Sequence, residues 1–153
     1  MGAVDVVRHV GSISVDQSED VIRIVRSSAI YFAIVFAAGS LFGSIRVPFL
    51  VPRLGERYAE LVESPLMFAV IVFSARYVVR RFDLTGKIGR SLAAGLAAAI
   101  LLLAVEFTVV LALRGMMIGE FIAQRDPVAG TVYYIVVAIF AVMPAVFARS
   151  ARG

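Results

Sequence analysis

Four apolar stretches, 27–45, 58–79, 91–113 and 129–148, take up most of this chain. Each is long enough to cross a hydrocarbon core of ~30 Å. That feature constrains the fold more than any other. Hydrophobic residues make up 61% of the 153-residue chain, against ~45–50% in soluble domains, and a soluble domain of this size has no interior that could hide them. The mean hydropathy of +0.93 says the same. Inside lipid every backbone N–H and C=O must be satisfied within the protein, so runs of this length become helices. The expected fold is all-α, an integral membrane four-helix bundle. No composition shift divides it: a single transmembrane domain, 21–153, follows a flexible head, 1–20.

Asp16, Glu19 and Asp20 precede Arg23 and Arg26, so acids lead a helix start and arginines follow at headgroup level. The head is too long and acidic, and the first run too long, for a signal peptide with its ~7–15-residue apolar core. Val6 stands where N-myristoylation wants Ser or Thr. Basic residues near the spans set the orientation. The head (Arg8, Arg23, Arg26), second connection (Arg80, Arg81, Lys87, Arg90) and tail (Arg149, Arg152) outnumber Arg46, Arg53, Arg57, Arg114 and Arg125 on the other side. Both termini are therefore expected in the cytoplasm. Tyr31, Tyr58, Tyr77, Tyr133 and Tyr134 fall near span ends, as an aromatic belt would.

A net charge of +4 and a pI near 10.0 raise nucleic acid as a partner. The basic residues are strung between apolar runs rather than gathered on one face, which excludes a phosphate-binding surface of that kind. Cys, Trp and Asn are absent and His9 is the single histidine. Thiol catalysis, Cys/His metal sites and haem ligation by paired histidines lose their ligands with them, and His9 is badly placed for a triad. No cofactor, no metal and no catalytic residue is expected, and the chain does not read as an enzyme.

The stretch 46–81 concentrates what polar chemistry there is. Pro48 and Pro52 are expected to interrupt the helix, with Leu54, Gly55 and Glu56 forming a turn. Pro65 falls about two turns into the second span, where a kink is expected. Glu63 lies about five residues, ~7 Å, into that span, and Glu106 about seven residues, ~10 Å, from the same side of the third. Arg46 closes the first span at that level. A carboxylate at such depth requires a partner, so Arg46, Glu63 and Glu106 form a candidate intramembrane charge cluster. Two uses are open: an ion pair that fixes helix register, or a proton- or cation-binding site. Arg57, Glu60 and Glu63 recur at every third residue and read as a local salt-bridge ladder. Gly39 and Gly43 form a G-x-x-x-G step that admits close helix packing. Arg76, Arg80, Arg81, Lys87 and Arg90 are candidate contacts for anionic lipid on the cytoplasmic side. Apolar residues from Met116 to Ile122 point to a short interfacial helix in the third connection.

The segment GSIRVPFLVPRLGERYAELVESPLMFAVIVFSARYVVRRF resembles a family of small bacterial inner-membrane proteins of unassigned function. Its pattern of Arg, Pro-Arg-Leu-Gly-Glu, Glu-x-Pro and Ala-Arg-aromatic-Val-x-Arg-Arg-Phe falls here on Arg46, Pro52 to Glu56, Glu63 to Leu66 and Ala75 to Phe82. The resemblance implies a bacterial, four-span, multi-pass protein and carries no activity with it. The expected role is a non-enzymatic accessory, assembly or structural component of the membrane, with the bilayer, a second copy or a larger membrane complex as partners. The alternative is a small transporter or channel with a carboxylate site in the outer leaflet.

Overall fold

The structure, a computed structural model, describes residues 3–114, 119 and 127–150. Its order is α1 (Ala3–Ile45), a π-helical link (Arg46–Leu50), α2 (Val51–Arg81), α3 (Ile88–Arg114) and α4 (Pro127–Ser150). No strand occurs among the described residues. Three helical stretches among them are long and apolar enough to cross a membrane: Gln17–Arg81, Ile88–Val109 and Pro127–Ser150. The third connection, where a short interfacial helix was expected, lies outside the described residues, as do Arg125 and Arg152.

Two stretches are more helical than the sequence implies. Residues 3–20, expected as a loosely ordered head with at most one turn, are helical and continuous with α1. No proline interrupts 3–45, so the hydrogen-bond ladder has no obligatory stop. The prolines of the first connection do not make it a loop either. Pro48 lies within the π-helical link, closed by Val51 N–H donating to Arg46 O, and Pro52 sits at the start of α2. The break falls instead at Gly55, with φ 78° and ψ 162°. That region is open almost only to glycine. Pro65 is carried inside α2, whose departure from helical dihedrals is at Gly55.

Beyond that kink the chain doubles back. Arg46 meets Glu60 and Glu63, Gly39 faces Met67, and Arg23 meets Asp83. These pairs step in opposite directions along α1 and α2, so the two are antiparallel. α3 and α4 are antiparallel by the same reasoning: Gly95 lies against Ala141, and Glu106 meets Tyr133.

One end of the assembly is tightly closed. α2 stops in a Schellman motif: Leu84 N–H donates to Val79 O at 2.9 Å and Asp83 N–H to Arg80 O at 3.4 Å. Asp83 takes the left-handed position at φ 52°, and Leu84 is buried with Val79, Ala94 and Ala148. The C″–C3 apolar contact of this motif thus becomes a seed of the core. Lys87 Nζ binds Asp83 Oδ2 at 3.0 Å, and this hydrogen bond and charge hold the Asp83 carboxyl below the usual carboxylate range. Asp20 pairs with Arg90, and Gly86 N–H donates to Ala148 O at 2.9 Å, so all four helices are tied at this end.

The main core gathers Tyr31, Val35, Ile71, Ala75, Val78, Ala98 and Phe140. Tyr31 is its centre, fully buried rather than at a headgroup, which removes it from the expected aromatic belt. Its ring stacks on Phe140 with centroids 4.4 Å apart, and its hydroxyl donates to Phe140 O at 3.0 Å. That carbonyl would ordinarily accept from the N–H four residues on, but the residue there is Pro144, which has none. Tyr31 of α1 therefore supplies the donor that α4 lacks. Buried Ser27 and Ser28 are satisfied within α1, each donating at 2.9 Å to the carbonyl three residues back. α3 and α4 come into close contact at Gly95. A Cβ there would overlap the carbonyl oxygen of Ala141 and stand 3.0 Å from its carbon and 3.2 Å from Pro144 Cδ.

Two outcomes test this packing. Tyr31→Phe should lower stability by about 1–2 kcal/mol, the cost of a buried acceptor left unmade. In a Pro144→Ala background, where the backbone donor returns, the same change should cost clearly less; equal losses in both backgrounds, read by thermal or denaturant unfolding in detergent, would refute the substitution of one donor for the other. Gly95→Ala should force α3 and α4 apart and cost about 1–3 kcal/mol as an overpacked site. Gly43→Ala, whose Cβ would meet nothing within 4 Å, should leave the unfolding midpoint near wild type.

Candidate functional site

Away from the closed end, the helices separate around a cavity of about 300 Å³. Arg46, Glu60, Glu63, Glu106 and Tyr133 all reach its wall, between apolar side chains such as Phe36, Met67 and Phe140. The long apolar runs predict a wall of this kind. Its polar members are set by where each helix carries its few charges.

Arg46 is the first residue of the π-helical link. Such local widenings of a helix turn side chains away from the ordinary α register and recur at functional sites. Glu60 and Glu63 stand three residues apart on one face of α2. They meet Arg46 through two different nitrogens: Nη1 lies 3.2 Å from Glu60 Oε1 and Nε lies 3.2 Å from Glu63 Oε2. Both carboxylates are 15% exposed and the arginine 24%. Arg46 Nε and Glu63 Oε2 are buried without an aligned hydrogen bond. Their contact is therefore an attraction of charges, not a directed bond, and is easier to rearrange than the fork-to-fork geometry arginine favours.

Glu106 reaches the same cavity from α3 but belongs to a different pair. Its Oε2 accepts from the Tyr133 hydroxyl of α4. Three helices and the link thus contribute titratable groups to one space. Arg46, Glu63 and Glu106, which the sequence puts at one depth, line this cavity; Arg46 lies against Glu63, and Glu106 against Tyr133. Glu60 and Tyr133 were not foreseen as members. From its spacing Glu60 reads as part of a ladder with Arg57; the fold also brings it to Arg46 across the hairpin. Tyr133 reads as an interfacial anchor, whereas its hydroxyl faces inward to a carboxylate. Its fall three residues from Gly130 and four from Ala129, both buried, is the one sequence signal that places it on the inner stripe of α4.

Gly39 and Gly43 both border the cavity. Gly39 faces Met67 Cε at 3.5 Å from where a Cβ would stand, and Gly43 faces open space. The basic residues lie at the closed end instead, where Lys87 and Arg90 are engaged by Asp83 and Asp20. No group of three or more His, Cys, Asp or Glu with metal-binding geometry occurs among the described residues. No protein-family model, curated protein or solved structure matches this chain.

The ion-paired set has a clear signature under mutation. Arg46→Met leaves two adjacent carboxylates facing each other in a poorly hydrated space, and should cost about 3 kcal/mol, the lower range for stripping one partner from a buried pair. Arg46→Met with Glu60→Gln and Glu63→Gln should recover most of that loss, because no charge is then left without a partner. Folded yield and unfolding midpoint in detergent read both effects; a triple variant no better than Arg46→Met would show that the three do not act as one set.

Proposed function

We propose that this chain is a multi-pass integral membrane protein of a bacterial inner membrane, crossing four times with both termini in the cytoplasm. It is not an enzyme, and its outer-half cavity takes up an exchangeable proton or small cation for transport across the bilayer. The observation that supports this reading is how two carboxylates are held in one cavity. The Arg46–Glu63 contact lacks an aligned hydrogen bond. Glu106 meets a neutral phenol, Tyr133, and enters no ion pair among the described residues. A carboxylate without a cationic partner at that depth costs about 3 kcal/mol or more, so a proton or a cation completes the site. The orientation rests on the arginines and lysine gathered at the opposite end, which positive-inside bias directs to the cytoplasm.

A second reading is favoured by a different observation: every one of these acids already has a partner within the chain. On that reading the cluster is a register lock in an accessory, assembly or structural component of a larger membrane complex.

Purified protein in proteoliposomes separates the two. With a pH or sodium gradient imposed, wild-type protein should carry a cation or proton flux. Glu63→Gln and Glu106→Gln should fold to normal yield and reduce that flux at least tenfold. Absence of flux in correctly folded wild type, with loss of yield in both variants, would leave only the register lock. Reporters fused after Gly153 and inserted near Gly119 should read cytoplasmic and periplasmic in turn; the reverse result would overturn the orientation.

A further inference from the structure

We propose that the outer face of α2 near its C-terminus is a seat for one anionic phospholipid of the cytoplasmic leaflet. Its phosphate is held by Arg76, Arg80 and Arg81, and its acyl chain lies along Phe73 and Tyr77. The seat rests on the membrane reading above. From sequence, five cations at this end are equivalent; the fold divides them. Lys87 is bound by Asp83 at 3.0 Å and Arg90 by Asp20. Arg76, Arg80 and Arg81 enter no ion pair among the described residues and are exposed. Three positive charges therefore remain on one helix end with no ion-pair partner among the described residues.

Their arrangement is specific. Positions 73, 76, 77, 80 and 81 follow the three- and four-residue steps of a single helix face. The other face of the same segment, Ile71, Ser74, Ala75, Val78 and Val79, is buried in the core. The five outward residues alone line a shallow depression, and Phe73 and Tyr77 are 72% and 52% exposed. Phe73 to Arg81 spans about 12 Å along the axis, the rise from acyl chains to headgroup. Along that rise come the Phe73 ring, then Arg76 and Tyr77, then Arg80 and Arg81. The long Arg76 side chain can snorkel towards the headgroup level of the other two, so the face runs from apolar ring to guanidiniums as a phospholipid runs from chain to phosphate. Guanidinium forks suit phosphate oxygens bidentately, and Arg81 is braced 6.0 Å from the Phe82 ring. This charge complementarity selects an anionic lipid over a zwitterionic one.

Full-length protein is first incorporated into liposomes, then extracted in mild detergent and titrated separately with phosphatidylglycerol, phosphatidylcholine and inorganic phosphate, with native mass spectrometry counting what stays bound. One phosphatidylglycerol should be retained in preference to phosphatidylcholine. Arg80→Gln should weaken it about fivefold, as expected for one arginine near an anionic surface. The Arg76→Gln, Arg80→Gln, Arg81→Gln triple variant should lose the preference, while Lys87→Gln keeps it. If the triple variant does not fold, the single Arg80→Gln variant decides. Unchanged preference in the arginine variants, equal loss in Lys87→Gln, displacement of the lipid by equimolar inorganic phosphate, or a dimer that excludes lipid from this face would each overturn the seat. Failure to enter liposomes would overturn the membrane reading; entry without lipid preference would overturn the seat alone.

Discussion

The hydroxyl of Tyr31 and the carbonyl of Phe140 hold this fold together at a point where α4 is defective by composition. Pro144 removes the donor that Phe140 O would use, and a buried backbone acceptor left unmade is costly. α1 provides the donor at 3.0 Å, and the same two residues stack their rings. A single contact thus joins the first and last described helices, and Ile71, Ala75 and Val78 of α2 pack on it. Pro144 also lies beside the close contact of α3 and α4 at Gly95. The proline, the tyrosine and the glycine form one construction: the helix that lost a hydrogen bond is the one the others clamp from two sides.

From that clamp outward the two ends of the molecule differ. Towards the arginine-rich end, the Schellman turn, the Asp20–Arg90 pair and the bond from Gly86 to Ala148 close the helices onto each other. Towards the other end the helices part, and the gap is lined by Glu60, Glu63 and Glu106. Closure at one end and a polar opening at the other is an arrangement in which small changes of charge act on the open end alone. Because the contact between Arg46 Nε and Glu63 Oε2 is Coulombic rather than directional, protonation of Glu63 shifts a balance without breaking an aligned bond.

What the sequence by itself determined is the class of structure: helices, from runs whose backbone can be satisfied in lipid in no other way, and the depth at which Arg46, Glu63 and Glu106 would lie, because depth is a matter of residue count. Depth cannot say which charges meet. Glu60 is equally spaced for Arg57 on its own helix and for Arg46 across the hairpin, and only the reversal at Gly55 brings Arg46 within 3.2 Å. Likewise a tyrosine near a span end reads as a headgroup anchor, and rotation about the helix axis decides that Tyr31 faces the core and Tyr133 a carboxylate. Prolines in 48–52 read as a loop because the pattern of breakers is legible while its position within a helical turn is not. Pro48 and Pro52 are absorbed in a helical path, and the conformation reserved for glycine at 55 carries the break. Spacing marked Gly39 and Gly43, yet a side chain is excluded by a neighbouring backbone at Gly95, since contact depends on which faces the tertiary fold turns together. One-dimensional periodicity sets length, depth and polarity; azimuth and pairing are set by packing, and the composition of the cavity follows from those.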